Sequence, residues 1–70
     1  MYNKLKKIRT EKNISMQEMS DSLKISKTFY WQLENRKRRL AYDMAVKIAN
    51  IFSLKPDEIF YDDFIKQGNN

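Results

Sequence analysis

Four consecutive cationic side chains, Arg36 to Arg39, point most directly to a chemistry by their type and spacing. Guanidinium and ammonium groups donate to phosphate oxygens, and such contacts position a protein on a polyanion without reading its sequence. The run follows the segment 26–35, whose predicted helix start offers unpaired backbone N–H groups to an anion. Together the two features favour a phosphate-bearing partner. The alternative is that the four cations serve only to keep the protein soluble.

Charge is divided unevenly along the chain. Residues 1–40 hold eleven basic and four acidic side chains, a net charge of +7. Residues 41–70 hold three basic and five acidic side chains, a net charge of −2. A basic half joined to a slightly acidic half predicts one face for a polyanion and another face for different contacts.

The composition excludes several classes of function. The chain has no cysteine and no histidine, which removes disulfides, Cys/His zinc sites, a cysteine nucleophile and the usual general base. Adjacent carboxylates such as Asp62 and Asp63 are weak catalytic candidates by themselves. We therefore expect no enzyme, no metal, no cofactor and no small-molecule ligand. No apolar run approaches the ~20 residues of a membrane span, and no signal peptide is recognisable, so we expect a cytoplasmic protein without a membrane partner.

Helix-forming residues dominate, and no segment alternates as a half-buried strand does, so the sequence predicts an all-α fold. Asn3, Ser15 and Ser26 are the expected N-caps, and Ser15 with Glu18 forms a capping box. Large apolar residues at helical spacing predict the core. The expected helices are five: 3–13, 15–23, 26–35, about 42–52, and one with Pro56 in its first turn.

The predicted domain covers residues 1–61, and a tail over residues 62–70 is expected to be part helical or frayed, with fraying from Gln67. Within the domain, the second and third helices form a helix-turn-helix candidate over residues 15–35. Leu23 and Ile25 would pin its corner to the core. Ser26 would cap the third helix, whose N-terminal end then projects outward.

The stretch from Leu5 to Phe60 resembles the lambda-repressor-like, Xre/Cro-type helix-turn-helix family. The resemblance implies a compact bundle of five short helices, with the helix-turn-helix in the second and third. It implies double-stranded DNA as the partner. It rests on five motifs in order: Leu5-Lys6-Lys7-Ile8-Arg9, Asn13-Ile14-Ser15, Gln32-Leu33-Glu34-Asn35-Arg36-Lys37-Arg38, Ala45-Val46-Lys47-Ile48-Ala49 and Lys55-Pro56-Asp57-Glu58-Ile59-Phe60.

Carried over position by position, the resemblance assigns base reading in the major groove to Lys27, Thr28 and Gln32. Lysine donates to guanine, glutamine pairs with adenine, and threonine offers a hydroxyl and a methyl group. Arg9 and Glu34 are expected to pair and brace the third helix. The residues assigned to phosphate or groove contacts are Gln17, Ser26, Phe29, Arg36, Lys37, Arg38 and Arg39.

The sequence departs from the family at four positions. Met16 stands where a phosphate-binding glutamine is usual, and this contact is lost or passes to Gln17. Lys24 and Arg36 stand where turn glycines are usual, and a left-handed arginine costs about 1 kcal/mol. Ala41 cannot cap the fourth helix through its side chain.

Three consecutive aromatic residues, Phe29 to Trp31, cannot all face the core, because neighbours on a helix point ~100° apart. The family pattern places Tyr30 in the core and leaves Phe29 and Trp31 partly exposed. We expect Trp31 to pack on a neighbouring helix or a lysine stem rather than on DNA. An exposed aromatic pair could instead serve a protein partner.

The favoured function is sequence-specific DNA binding by a transcriptional regulator, a repressor of the phage or mobile-element type. The family commonly binds as a homodimer with half-sites ~34 Å apart. The alternative is a protein-interaction module of the same fold, such as an antitoxin or an anti-repressor partner, with little DNA reading. The candidate dimer surface consists of Ile51, Tyr61, Phe64 and Ile65, and Phe52 is assigned to the core.

Overall fold

The computed structural model describes residues 1–68, with side chains to Ile65. The predicted all-α class and five-helix bundle are confirmed, and the described residues contain no strand. The helices are α1 (Asn3–Glu11), α2 (Met16–Leu23), α3 (Lys27–Glu34), α4 (Tyr42–Ile51) and α5 (Pro56–Gly68).

One core joins all five helices, because each helix presents an apolar stripe to the centre of the bundle. Tyr30 of α3 and Phe60 of α5 are the largest fully buried side chains. Most of the apolar residues at helical spacing are buried, whereas Ile8, Ile25 and Phe29 are half-buried against the cluster. Leu40 in the α3–α4 joint and Tyr2 before α1 also belong to the core.

The predicted N-cap Asn3 is wrong. Tyr2 occupies the N-cap of α1, without a side-chain cap, and Asn3 is the first helical residue. Burial explains the shift: the Tyr2 ring packs edge-on against Phe60, with centroids 5.1 Å apart. The Tyr2 N–H also donates to the Glu34 carbonyl at 2.9 Å, so the start of the chain is fixed to the end of α3.

The capping box of α2 is confirmed. The Ser15 hydroxyl accepts from the Glu18 N–H at 3.0 Å, and the Ser15 N–H donates to Glu18 Oε1 at 3.0 Å. The hydrogen bond from the Ser15 N–H, followed by the interaction with the Ser15 side chain, lowers the pKa of the Glu18 carboxyl. Ala41 occupies the N-cap of α4 with an extended backbone and makes no side-chain cap bond, as expected for a methyl side chain.

Helices α1 to α4 all end in the same way, on a left-handed residue that is not glycine. These residues are Asn13, Lys24, Arg36 and Ser53, with φ between 57° and 59°. Each is followed by the paired backbone bonds of a Schellman motif, as when the Ile25 N–H donates to the Ser20 carbonyl at 3.0 Å. Lys24 and Arg36 thus adopt the backbone that glycine would provide.

The segment after residue 61 continues α5 as far as Gly68, including Gln67, where fraying was expected. The only glycine of the chain is Gly68, and the only proline is Pro56 at the start of this helix, so no breaker interrupts the segment. Asn69 and Asn70 lie outside the described residues. Among the described residues, no helix has the length and apolar character needed to span a bilayer.

Candidate nucleic-acid interface

The corner between α2 and α3 sets the direction of α3. Lys24 reverses the chain in the left-handed conformation, and Ile25 packs against the core. Ser26 then caps α3, its hydroxyl accepting from the Phe29 N–H at 3.0 Å. This side-chain bond satisfies one of the unpaired N–H groups at the start of α3.

The outer face of α3 carries the three residues predicted to read bases. Lys27 and Thr28 are exposed, and Gln32 is half-buried one turn later. Trp31 lies on the same face, because it follows Lys27 by four residues and Thr28 by three. Its side chain is 45% exposed, so the outer face combines one cation, two polar groups and an indole.

The opposite side of α3 is fixed by the predicted brace. Arg9 Nε lies 3.2 Å from both carboxylate oxygens of Glu34, and Arg9 Nη1 donates to the Ile14 carbonyl at 2.8 Å. Both side chains are almost completely buried. Removing one partner of such a pair leaves an uncompensated buried charge, which costs about 3–5 kcal/mol. The brace therefore holds α3 against α1 and removes the only carboxylate of α3 from its outer face.

The hydroxyl of Tyr30 lies next to this brace. It is buried and makes no well-formed hydrogen bond to a described residue. Burial, followed by the charge of Glu34, raises the pKa of Tyr30 far above its ordinary value, and the charge of Arg9 opposes this only in part. Tyr30 is therefore neutral at physiological pH, and its hydroxyl offers nothing to a ligand.

The segment between α3 and α4 carries the cations Arg36 to Arg39, here called the basic joint. Arg38 in this joint reaches back to α3. Its Nε donates to Gln32 Oε1 at 3.0 Å, and its guanidinium lies over the Phe29 ring, 4.4 Å from the centroid. The bond holds the Gln32 carboxamide by its oxygen, and its N–H₂ group makes no hydrogen bond to a described residue. A carboxamide oxygen has two lone pairs, so the bond from Arg38 leaves one of them available. Arg38 thus orients a predicted base-reading side chain.

The rest of the basic joint is divided between two environments. Arg36 lies over the Tyr2 ring, 4.8 Å from the centroid, and so faces the N-terminal segment. Burial raises the pKa of Tyr2, and the Arg36 charge opposes the rise. Lys37 and Arg39 are exposed. A groove of about 610 Å³ is lined by Tyr2, Arg36, Lys37, Arg38, Arg39, Leu40 and Phe64.

Gln17, the other predicted phosphate contact, is engaged within its own helix. Its Nε2 donates to Asp21 Oδ1 at 2.9 Å and to Ser20 Oγ at 3.3 Å. A phosphate contact from its amide group requires an exchange of these bonds. The contact stays a prediction, and it costs more free energy than a contact from a side chain that has no hydrogen bonds to give up.

A shallow notch lies between the start of α2 and the outer face of α3. It has a volume of about 220 Å³ and is lined by Met16, Lys27, Thr28 and Trp31. The sequence interpretation gave Trp31 a packing role and left it out of the site. Its spacing from Lys27 and Thr28 was the signal that places it on their face.

A family model described as a helix-turn-helix domain matches residues 2–61. The chain belongs to this helix-turn-helix domain family. No curated protein and no solved structure matches the chain significantly. Helix-turn-helix domains are a DNA-binding, non-enzymatic kind of domain, and α2 with α3 is the pair that gives the family its motif.

The residues predicted as a dimer surface line different parts of this helix-turn-helix domain. Ile51 lines a groove between α2 and α4, and Tyr61 lines one with Lys4. Phe64 packs on Tyr2 and Phe60, with centroids 6.4 and 6.0 Å away, and is 43% exposed. Ile65 is 40% exposed. A homodimer through these residues stays a prediction.

A metal site in this helix-turn-helix domain would need several carboxylates close together. In the described part of the chain, no group of three or more carboxylates is placed to hold a metal ion. The outer face of α3 and the basic joint form the candidate site, and the chemistry available there is hydrogen bonding and positive charge.

Proposed function

We propose that this domain is a sequence-specific, double-stranded DNA-binding regulator of the lambda-repressor-like, Xre/Cro type, acting in the cytoplasm as a repressor of the phage or mobile-element kind. The observation that carries the proposal is the charge arrangement around α3. Glu34 is buried against Arg9, so the outer face presents Lys27, Thr28 and Gln32 beside a joint of four cations.

In the proposed complex, α3 enters the major groove, which is wide enough for one helix. Lys27 donates to guanine O6 and N7, and Thr28 contacts a neighbouring base by its hydroxyl or methyl group. Gln32, oriented by Arg38, donates through its N–H₂ group and accepts through the remaining lone pair of its oxygen, the pattern that adenine N7 and N6 complement.

Phosphate contacts in this proposal come from the exposed cations of the joint and from the start of α3. Lys37 and Arg39 are exposed. Arg38, whose guanidinium lies over the Phe29 ring, adds a further positive charge. Ser26 and the first N–H groups of α3 present a partial positive charge to the backbone. Two copies on half-sites ~34 Å apart would place both recognition helices on one face of the duplex.

A protein-interaction module is the second candidate, and the exposed aromatic residues favour it. Tyr42 is 74% exposed and Tyr61 is 56% exposed, and exposed aromatic surface is typical of protein contacts. The four consecutive cations of the joint weigh against it, because an interaction module has no need of such a charge beside α3.

Selection of bound duplexes from a random DNA pool tests the proposal. A regulator enriches one motif, and the enriched duplex binds more tightly than a shuffled duplex of the same composition, with specific binding typically ~10³-fold or more stronger. An enriched motif with two inverted half-sites supports binding as a dimer. An enriched single half-site supports binding as a monomer. Enrichment of no motif contradicts sequence-specific binding and leaves the interaction module as the better account.

A further inference from the structure

The notch between α2 and α3 is an apolar depression within a basic surface. It is lined by Met16, Lys27, Thr28 and Trp31, and most of the lining surface is apolar. Trp31 is 45% exposed although it is the largest apolar side chain of α3. The notch leaves apolar area uncovered on the face that carries the predicted base-reading residues.

Charge limits which apolar group can occupy this notch. Lys27 is one of the residues that line the notch and carries a positive charge, and none of the lining residues carries a carboxylate. Glu18, on the first turn of α2, has its carboxylate bonded to the Ser15 N–H. An apolar group attached to a polyanion meets both conditions, because the polyanion satisfies the cation while the apolar group covers the indole.

Double-stranded DNA carries such a group in the major groove, the C5-methyl group of thymine. Thr28 and Gln32 follow one another on the same outer face, four residues apart, so a helix seated there brings the notch to the base edges as well. A partner protein would have to bring an apolar side chain surrounded by carboxylates to the same place.

We propose that Met16, Trp31 and the methyl group of Thr28 form a receptor for a thymine methyl group, with Lys27 bonded to the adjacent polar edge or phosphate. The inference rests on the proposed function and adds a specificity that hydrogen bonding by Lys27 and Gln32 does not provide. It also gives Met16 a role at the position where it replaces the family's usual glutamine.

The test replaces each thymine of the selected duplex, one at a time, by deoxyuridine, which removes only the methyl group. One position per half-site should lose about fourfold in affinity, the ratio expected for one buried methyl-sized group. A 5-bromouracil at that position, with a substituent of methyl size, should restore most of the affinity. Because only the DNA changes, folding of the protein is not in question.

Two protein variants complete the test. In Trp31→Ala the difference between thymine and uracil at that position should shrink to less than twofold. In Tyr42→Ala, which removes an exposed aromatic ring outside the notch, the fourfold ratio should persist. Circular dichroism checks that both variants are helical.

The outcomes separate the inference from the function it rests on. A selected duplex that binds equally well with uracil at every thymine position overturns the methyl receptor and leaves sequence-specific binding intact. A uracil penalty that persists undiminished in Trp31→Ala assigns the methyl contact to other residues and also overturns it. Failure to select any motif contradicts the proposed function itself.

Discussion

At the scale of single residues, positioning and contact are distributed over different side chains. Glu34 and Arg9 hold α3 from its inner side, and Arg38 holds Gln32 from its outer side. The brace was predictable from the sequence, because the resemblance assigns both partners. The Gln32–Arg38 bond was not, because it depends on the left-handed turn at Arg36 that brings residue 38 back towards α3.

The first prediction concerns Gln32. Gln32→Ala should cost about 1–3 kcal/mol of binding free energy on the selected duplex and relax the preference at one base pair, because a base-edge contact is lost. Binding assays on the selected duplex and on its single-base variants measure both effects. An equal loss on shuffled DNA would remove Gln32 from base reading. Asn50→Ala, which shortens an exposed polar side chain on α4, is the matched control.

The second prediction concerns Arg38, which we expect to act in two ways. Arg38→Ala should flatten the salt dependence of binding by about one phosphate and also relax the preference at the base pair read by Gln32. Arg38→Lys keeps the charge but lacks the planar group that stacks on Phe29 and holds Gln32. The lysine variant should therefore keep the salt slope and lose part of the preference. If both variants keep the preference at that base pair, Arg38 contacts only phosphate and does not orient Gln32.

A third prediction follows from the buried hydroxyl of Tyr30. Tyr30→Phe should leave the free energy of unfolding unchanged or raise it by up to about 1 kcal/mol, because the hydroxyl is buried without a good partner. Urea unfolding measures this, with Tyr61→Phe, an exposed hydroxyl, as the control. A loss of more than about 1 kcal/mol would show that the hydroxyl is bonded in solution.

The pH dependence of the same variant gives a second reading. The folded-state pKa of Tyr30 lies above its ordinary value of 10.0, since burial and the Glu34 charge disfavour the phenolate. Above pH 10 the unfolded chain therefore releases a proton that the folded protein retains, and stability falls as the pH rises. In Tyr30→Phe this part of the alkaline loss should be absent.

At the scale of helices, the sequence predicted starts and faces better than it predicted ends. Ser15 and Ser26 are N-caps as expected, because their hydroxyls satisfy backbone donors locally. Asn3 was wrong because a tertiary contact, the burial of Tyr2, outweighs a local cap. The absence of glycine at the ends of α2 and α3 made their turns uncertain from sequence alone. Both turns form because tertiary packing outweighs the local penalty of a left-handed residue.

The fourth prediction tests that penalty at the α2–α3 corner. Lys24→Gly should raise the free energy of unfolding by about 1 kcal/mol, because residue 24 has φ 59° and glycine adopts this conformation without strain. Lys24→Ala, which removes the charge and keeps the Cβ atom, is the control and should not stabilise. Urea or thermal unfolding distinguishes the two. Equal effects of both substitutions would attribute any change to the lost charge rather than to the backbone.

At the scale of the whole molecule, the uneven charge was the property that the sequence established most simply. The basic joint lies beside α3 because a left-handed turn directly follows that helix. The candidate dimer residues, by contrast, do not share one surface: Ile51, Tyr61 and Phe64 line separate grooves. Apolar side chains near the end of a chain do not reveal which surface they share, since that depends on how the last helix packs.

The measurement that tests the central claim most directly is the affinity for the selected duplex and for a shuffled duplex, titrated over salt concentration. We predict tighter binding to the selected duplex, and a linear fall of log K with log salt for both duplexes of about 0.9 per phosphate neutralised. Lys37→Ala and Arg39→Ala should each reduce the slope by about 1. Equal affinity for the two duplexes, or a binding constant that does not change with salt, would contradict the assignment of α3 and the basic joint to DNA.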